Sequence, residues 1–375
     1  MDPAPIAKQL AGVLQRFEPP NFGLMQGLVG QVLAACELAR VERSVDTGEW
    51  ATRLIERFNK SGAGPGLHSG IAGMGLVLAL YFGGAEELLE AIDAAILPRL
   101  AALPPTSMRE GWAGIAQYAS VRSQSPSGRA LQAALVKSFA ASSVSERGGT
   151  TWHVSRAYAE SRGVVVRGEP IRELGMVHGI AGTLTGLAAL ATAGSAQAAE
   201  LARGALRWLW AIEQPAPNRF GWSLHGEHFD NLGIGTWCTG DIGVIRGAWL
   251  AAQACADGAS IARLLQLARE QAQDWFSVYA PARRETNRFD LCCGSTAVAQ
   301  IFRRFHMETA ETVFRTTSDA IFSGNLAACE QVLADDFQFG KLGILTALLS
   351  AAANLTPTWD CAFGVSVPQS IAGAM

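Results

Sequence analysis

One short motif returns seven times along this chain, and it governs what the chain can fold into. The pattern is glycine, two residues, glycine, then an apolar helical stretch. It starts at Gly27 in "LMQGLVGQVLAAC" and recurs at Gly70, Gly111, Gly179, Gly240, Gly294 and Gly340, with Ala297 replacing the second glycine in the sixth copy. The copies lie roughly 40 to 70 residues apart, the range of helical arrays and closed repeats. Between them run amphipathic stretches. "AAELARGALRWLWAIEQ" sets Leu201, Leu206, Leu209 and Ile212 near a 3.6-residue period. Each unit therefore reads as an outer helix, a loop, a glycine-rich turn and an inner helix. Glycine there lets loop backbone approach closely and leaves amide N–H groups aimed at the centre.

Seven such units with converging turns predict an all-α chain: an α/α toroid of about seven inner and seven outer helices, formed by one domain over residues 1–375. Periodicity alone is also compatible with an open solenoid, but no unit has the polar face of a capping repeat, which favours closure. Arg162–Gly168, "RGVVVRG", is the best candidate for a strand.

Composition narrows the function. Apolar residues make up 49% and charged residues 17%, ample for a buried core. A net charge of -3 gives no electrostatic footprint for nucleic acid. The stretch 174–199 carries no Asp, Glu, Lys or Arg, but it is rich in Gly and Thr and holds His178, so it reads as a buried core helix rather than a membrane span. The N-terminus lacks a basic start with an apolar run, so no signal peptide is expected and the expected location is cytoplasmic.

Seven cysteines leave at least one thiol unpaired within the chain. Cys238, in "TWCTGDIG", and Cys292 and Cys293, in "LCCGSTA", sit beside the glycines of the fifth and sixth motifs. In a reducing compartment that grouping points to metal ligation more than to disulfides. Three thiolates on one Zn²⁺ leave one position open, the catalytic rather than the structural arrangement. Cys36 and Cys255 lie in apolar helical runs and read as buried small hydrophobes, and Cys329 and Cys361 have no partner spacing.

With these residues in view, the chain resembles the lanthionine synthetase C-like family, from Phe22 to about Asp360: seven glycine motifs in order, both cysteine motifs, and a terminal Trp359–Asp360. The resemblance implies a zinc held by Cys238, Cys292 and Cys293, with Cys293 where most relatives have His. A three-thiolate site carries net -1 instead of 0, which favours a more nucleophilic bound sulfur. The family's His matches His178, the implied protonating group. Three positions depart from the pattern: Ser107 stands where Asp is usual, Ile234 where Arg is, and Thr239 where Tyr is. His225 and His228 read as solvated loop residues, and His68 occupies a turn matching that of His178.

The implied activity is addition of peptide cysteine thiols to dehydroalanine or dehydrobutyrine, forming lanthionine or methyllanthionine thioether rings. Its implied partners are a dehydrated precursor peptide, leader plus core, and a separate dehydratase. Two other readings stand beside it. One is a LanC-like enzyme that adds a small thiol such as glutathione to dehydro residues. The other is a non-catalytic zinc-containing scaffold that binds a modified peptide or a dehydratase. A glycosidase on the same fold would need paired carboxylates at the centre, where the motifs offer only Glu110 and Asp241.

Overall fold

Each glycine motif becomes the entry to a helix. A computed structural model describes residues 1–58, 62–230, 235–282 and 288–369. Among them the outer helices α1 (Pro3–Arg16), α3 (Thr47–Phe58), α5 (Glu86–Ile96), α7 (Pro126–Ser142), α10 (Ala196–Ala211), α12 (Gly258–Gln273) and α15 (Thr312–Ala328) alternate with inner ones. The inner helices are α2 (Leu28–Ala39), α4 (Ile71–Tyr81), α6 (Trp112–Val121), α9 (Ile180–Thr192), α11 (Asp241–Ala254), α14 (Ser295–Thr309) and α16 (Lys341–Ala352). Two short helices, α8 (Arg156–Ser161) and α13 (Ala280–Ala282), lie outside this alternation. The inner helices are buried nearly all round; α9 occupies the uncharged stretch 174–199. No helix among the described residues is long and apolar enough to cross a membrane.

The two rings start their helices differently. Several outer helices are capped by a side chain, as Ser125 accepts from the Gly128 amide and Ser195 from the Ala198 amide. All seven inner helices have glycine at the cap and no side-chain cap. Space explains the glycine: a Cβ on Gly111 would stand 1.9 Å from the Pro104 carbonyl oxygen. The second glycine is equally tight, with a Cβ on Gly30 falling 2.1 Å from the Leu24 oxygen. The expectation of free amides aimed at the centre is corrected here. The first amides are taken by the helix's own loop, Leu28 N–H donating to Asn21 O at 3.0 Å and Ile71 N–H to Gly64 O at 2.8 Å.

The turns instead bond to one another around the ring. Leu24 N–H donates to His68 O (2.8 Å), His68 N–H to Arg109 O (3.0 Å), Met108 N–H to Val177 O (2.8 Å) and Val177 N–H to Cys238 O (3.3 Å). On the other side Leu291 N–H donates to Gln338 O (3.2 Å), and Gln338 N–H returns to Met25 O (2.8 Å). The seventh turn thus joins the first and the ring is closed, with α16 packed on α1 and α2.

Residues 359–366 fill the axis. The Asp360 carboxylate accepts from Arg304 Nε and Nη2, Gln300 Nε2 and Ser366 Oγ, each at 2.7 Å. Phe363 packs against Trp237, Phe337 and His68 with ring centroids 5.3, 5.7 and 5.8 Å apart. Its carbonyl accepts from Trp237 Nε1 at 2.9 Å, and the Ala362 carbonyl lies 2.8 Å from His68 Nε2. His68 does face the centre, but it meets this plug; burial lowers its pKa to about 3, keeping it neutral.

The strands sit elsewhere than expected. Residues 162–168 form a loop: Gly163 at φ +76 turns the chain out of α8, Val164 is buried and Val165 is 75% exposed. Hairpin β1 (Val144–Glu146) with β2 (Gly149–Thr151) precedes α8. β3 (Ile171–Glu173) follows the loop and pairs antiparallel with β4 (Ser223–His225), which pairs with β5 (His228–Asp230). His225 and His228 are therefore strand residues. His225 is buried, its Nε2 2.8 Å from Ser223 Oγ, whereas His228 is exposed.

Candidate metal centre

Cys238 ends the turn that leads into α11, and Cys292 and Cys293 end the turn that leads into α14. The fifth and sixth turns are ring neighbours, so residues far apart in sequence arrive side by side. The three Sγ atoms lie within 4.8 Å of one another. Cys238 Sγ is 3.3 Å from Cys293 Sγ, which is 3.6 Å from Cys292 Sγ. These gaps are too long for a disulfide, near 2.05 Å, and all seven cysteines are free thiols. Two sulfurs on one tetrahedral zinc, each bonded at about 2.3 Å, stand about 3.8 Å apart. The donor set and its spacing fit such an ion.

Asp290 builds half of the site, and its signal in the sequence was the acidic residue two before the cysteine pair. Its Oδ1 accepts from both the Cys292 and the Cys293 amide at 2.9 Å, and Arg288 Nε holds Oδ2 at 2.7 Å. The other half rests on the plug, since Trp237, bonded to Phe363 O, precedes Cys238. The Thr236 and Thr239 hydroxyls lie 3.9 and 3.8 Å from Cys238 Sγ and 3.0 Å from each other.

The cluster shares protons unequally. Hydrogen bonds from Cys292 and Cys293 pull the Cys238 thiol well below its ordinary range. The contact with Cys238 raises Cys292, and raises Cys293 to about 12. Because ligation needs three thiolates, zinc binding at pH 7 is expected to release protons, their number set by how many of the three thiols are protonated beforehand. Calorimetric titration in buffers of different ionisation enthalpy reads that number.

His178 sits one turn over. Val177, beside it, donates to Cys238 O, and Thr106 Oγ1 donates to the His178 carbonyl at 2.7 Å. Burial, then Arg162 and Arg109, lower His178 to about 2, so its imidazole is neutral. A residue the sequence reading missed lies against it: the Tyr158 hydroxyl is 3.2 Å from His178 Nδ1. Tyr158 comes from α8, in the segment between the third and fourth motifs, where no motif marks it. Ser107 is fully buried; its Oγ accepts from the Glu110 amide at 3.1 Å and lies beside Tyr158. Arg109 and Glu110 form a half-exposed pair at 3.5 Å. Asp241 is pushed up to about 6 by burial and is committed to the Arg219 and Phe220 amides at 2.7 and 3.1 Å, so it does not pair with Glu110 as a glycosidase would require. Ile234 lies outside the described residues.

The family profile described as "Lanthionine synthetase C-like protein" matches residues 19–363. The chain belongs to this family. Its fold is similar to that of a solved structure titled "Nisin cyclase", with a TM-score of 0.78 at 15% identity, covering 96% of this chain and 97% of that one. No curated protein sequence matches the chain. As a lanthionine synthetase C-like protein with an α/α-toroid fold, it carries its sulfur cluster at the junction of the fifth and sixth turns. That is the one neighbouring pair for which the described residues offer no backbone link of the kind made elsewhere around the ring.

Proposed function

We propose that this toroid, as one domain, is a lanthipeptide cyclase that adds peptide cysteine thiols to dehydroalanine or dehydrobutyrine. The observation that carries this reading is three sulfurs gathered within 4.8 Å of one another, on a turn that Val177, the neighbour of His178, bonds through its amide. The similarity to nisin cyclase supports it at the level of fold. The substrate would be a dehydrated precursor peptide, with dehydration done by a separate protein.

Cys238, Cys292 and Cys293 would hold a zinc, and zinc would bind the peptide sulfur and lower its pKa so that a thiolate forms at neutral pH. The net reaction adds S–H across a C=C bond. A C–S bond forms at the β-carbon, the electron pair moves to the α-carbon and carbonyl, and the α-carbon takes a proton. His178 is the group placed to deliver that proton. Being neutral, it donates an imidazole N–H rather than acting as an imidazolium. The Thr236 and Thr239 hydroxyls moderate charge on Cys238.

Incubation with a dehydrated peptide tests the reading. Free cysteine, counted with a thiol-blocking reagent, should disappear without a change in peptide mass. His178→Ala should lower the rate by about 10²–10⁴, the usual contribution of a positioned acid or base, with zinc still at one per chain. A zinc-loaded protein that closes no ring on any cognate peptide would overturn the reading and leave the scaffold.

A further inference from the structure

Tyr158 has no place in the chemistry above, yet it is built into the site from several directions. Its hydroxyl is 3.2 Å from His178 Nδ1, and the two rings meet edge to face with centroids 6.2 Å apart. Behind it, the Ser107 hydroxyl lies against the phenol, and Ser107 is itself fixed by the Glu110 amide. The Arg162 guanidinium stacks 4.5 Å from the centre of the phenol ring, and Arg162 is held by buried Glu173 on β3. The helix that carries the tyrosine is fixed too: Ser155 caps α8, and Ala159 packs with Val154, Val164 and Ile171 beneath the sheet. A tyrosine this constrained, with its hydroxyl in hydrogen-bond reach of one nitrogen of the imidazole, is in position to set which tautomer that imidazole adopts.

We propose that Tyr158 is a positioning residue for His178: its O–H donates to Nδ1 and holds the ring as the Nε2–H tautomer, leaving that hydrogen for the reacting carbon. This rests on the reading of His178 as the proton donor. The transfer balances within the pair. As the Nε2–H bond breaks and the α-carbon C–H bond forms, Nδ1 takes the Tyr158 proton. The charge comes to rest on the phenolic oxygen, beside the Ser107 hydroxyl and the Arg162 guanidinium. Tyr158, half-buried, is then reprotonated from water. The segment between the third and fourth motifs thus contributes to the ring's chemistry.

The test is Tyr158→Phe, which keeps the ring and its stacking on Arg162 and removes only the hydroxyl. ¹⁵N-histidine NMR of zinc-loaded protein, with His178→Gln identifying the resonances, reads the tautomer directly. The parent should show Nε2 protonated and Nδ1 bare at His178, and the variant should shift towards a mixture. On a dehydrated peptide, kcat should fall about 10- to 100-fold with KM within twofold, because only the proton transfer is affected. Identical nitrogen shifts in parent and variant, or Nδ1 protonated in the parent, would overturn the proposal, as would an unchanged kcat. If the parent forms no rings, the cyclase reading fails, and the nitrogen shifts still decide whether Tyr158 sets the tautomer.

Discussion

Cys238→Ala should leave a protein that retains almost no zinc and closes rings at least about a thousandfold more slowly. The first part follows from geometry. Among the described residues Cys238 is the only thiol that the fifth turn brings to the cluster, and adjacent Cys292 and Cys293, with Sγ atoms 3.6 Å apart, would have to hold a proposed ion alone. The second part follows from thiol chemistry. A free cysteine with a pKa near 8.5 is only a few per cent thiolate at pH 7, so loss of acidification costs about 30-fold. Loss of a fixed position for that sulfur removes on the order of a further 10². Metal analysis alongside single-turnover cyclisation reads both effects. A variant that keeps one zinc per chain would show that Cys238 is not a ligand, and the site would have to be rebuilt without it. Zinc loss with undiminished ring closure would separate the metal from the chemistry.

The second large effect is expected at the plug. Asp360→Asn should destabilise the protein by about 3–5 kcal/mol, the usual result of removing one partner from a buried ion pair. Asp360 has no exposed surface and is the counter-ion of Arg304, which is 12% exposed. Gln300 and Ser366 also donate to it. Burial works against its charge, and Arg304 still holds its carboxyl below the usual range. A lowered native pKa gives a definite sign. The stabilisation is complete above the unfolded carboxyl's value near 3.9 and is lost as pH falls below it, so parent and variant should converge in acid. At about 2.1 cal/mol/K per residue, a chain of this length should melt about 4–6 °C lower, which calorimetry at pH 7 would detect. Because the plug also anchors Trp237, the variant should bind zinc more weakly. Equal melting temperatures would mean that residues 359–366 do not unfold with the ring.

The ring was legible because its requirement is local and repeated. Every inner helix needs a glycine where a Cβ would strike a carbonyl, and that requirement is written seven times. The sulfur cluster was legible because both of its halves sit on those turns. What escaped was set by three-dimensional neighbours without a periodic mark. Tyr158 matters only because α8 folds back over His178. "RGVVVRG" has strand composition, but Gly163 bends it away, and Ile171–Glu173 pairs with β4 instead. The plug was visible only as Trp359–Asp360, since its partners come from most of the seven units. His68 and His178 occupy matching turns, and only the structure separates the one against the plug from the one whose turn bonds that of Cys238.

Residues 359–366 lie buried at the axis, so among the described residues the ring has a filled centre rather than an open bore. On the cyclase proposal, a peptide that reached the sulfurs would not thread onward through the axis while residues 359–366 stay seated. Each visit would then end in retreat by the way it came. A precursor with several rings would then be finished by repeated entry, one crosslink at a time, and a ring already closed would have to pass the same opening again.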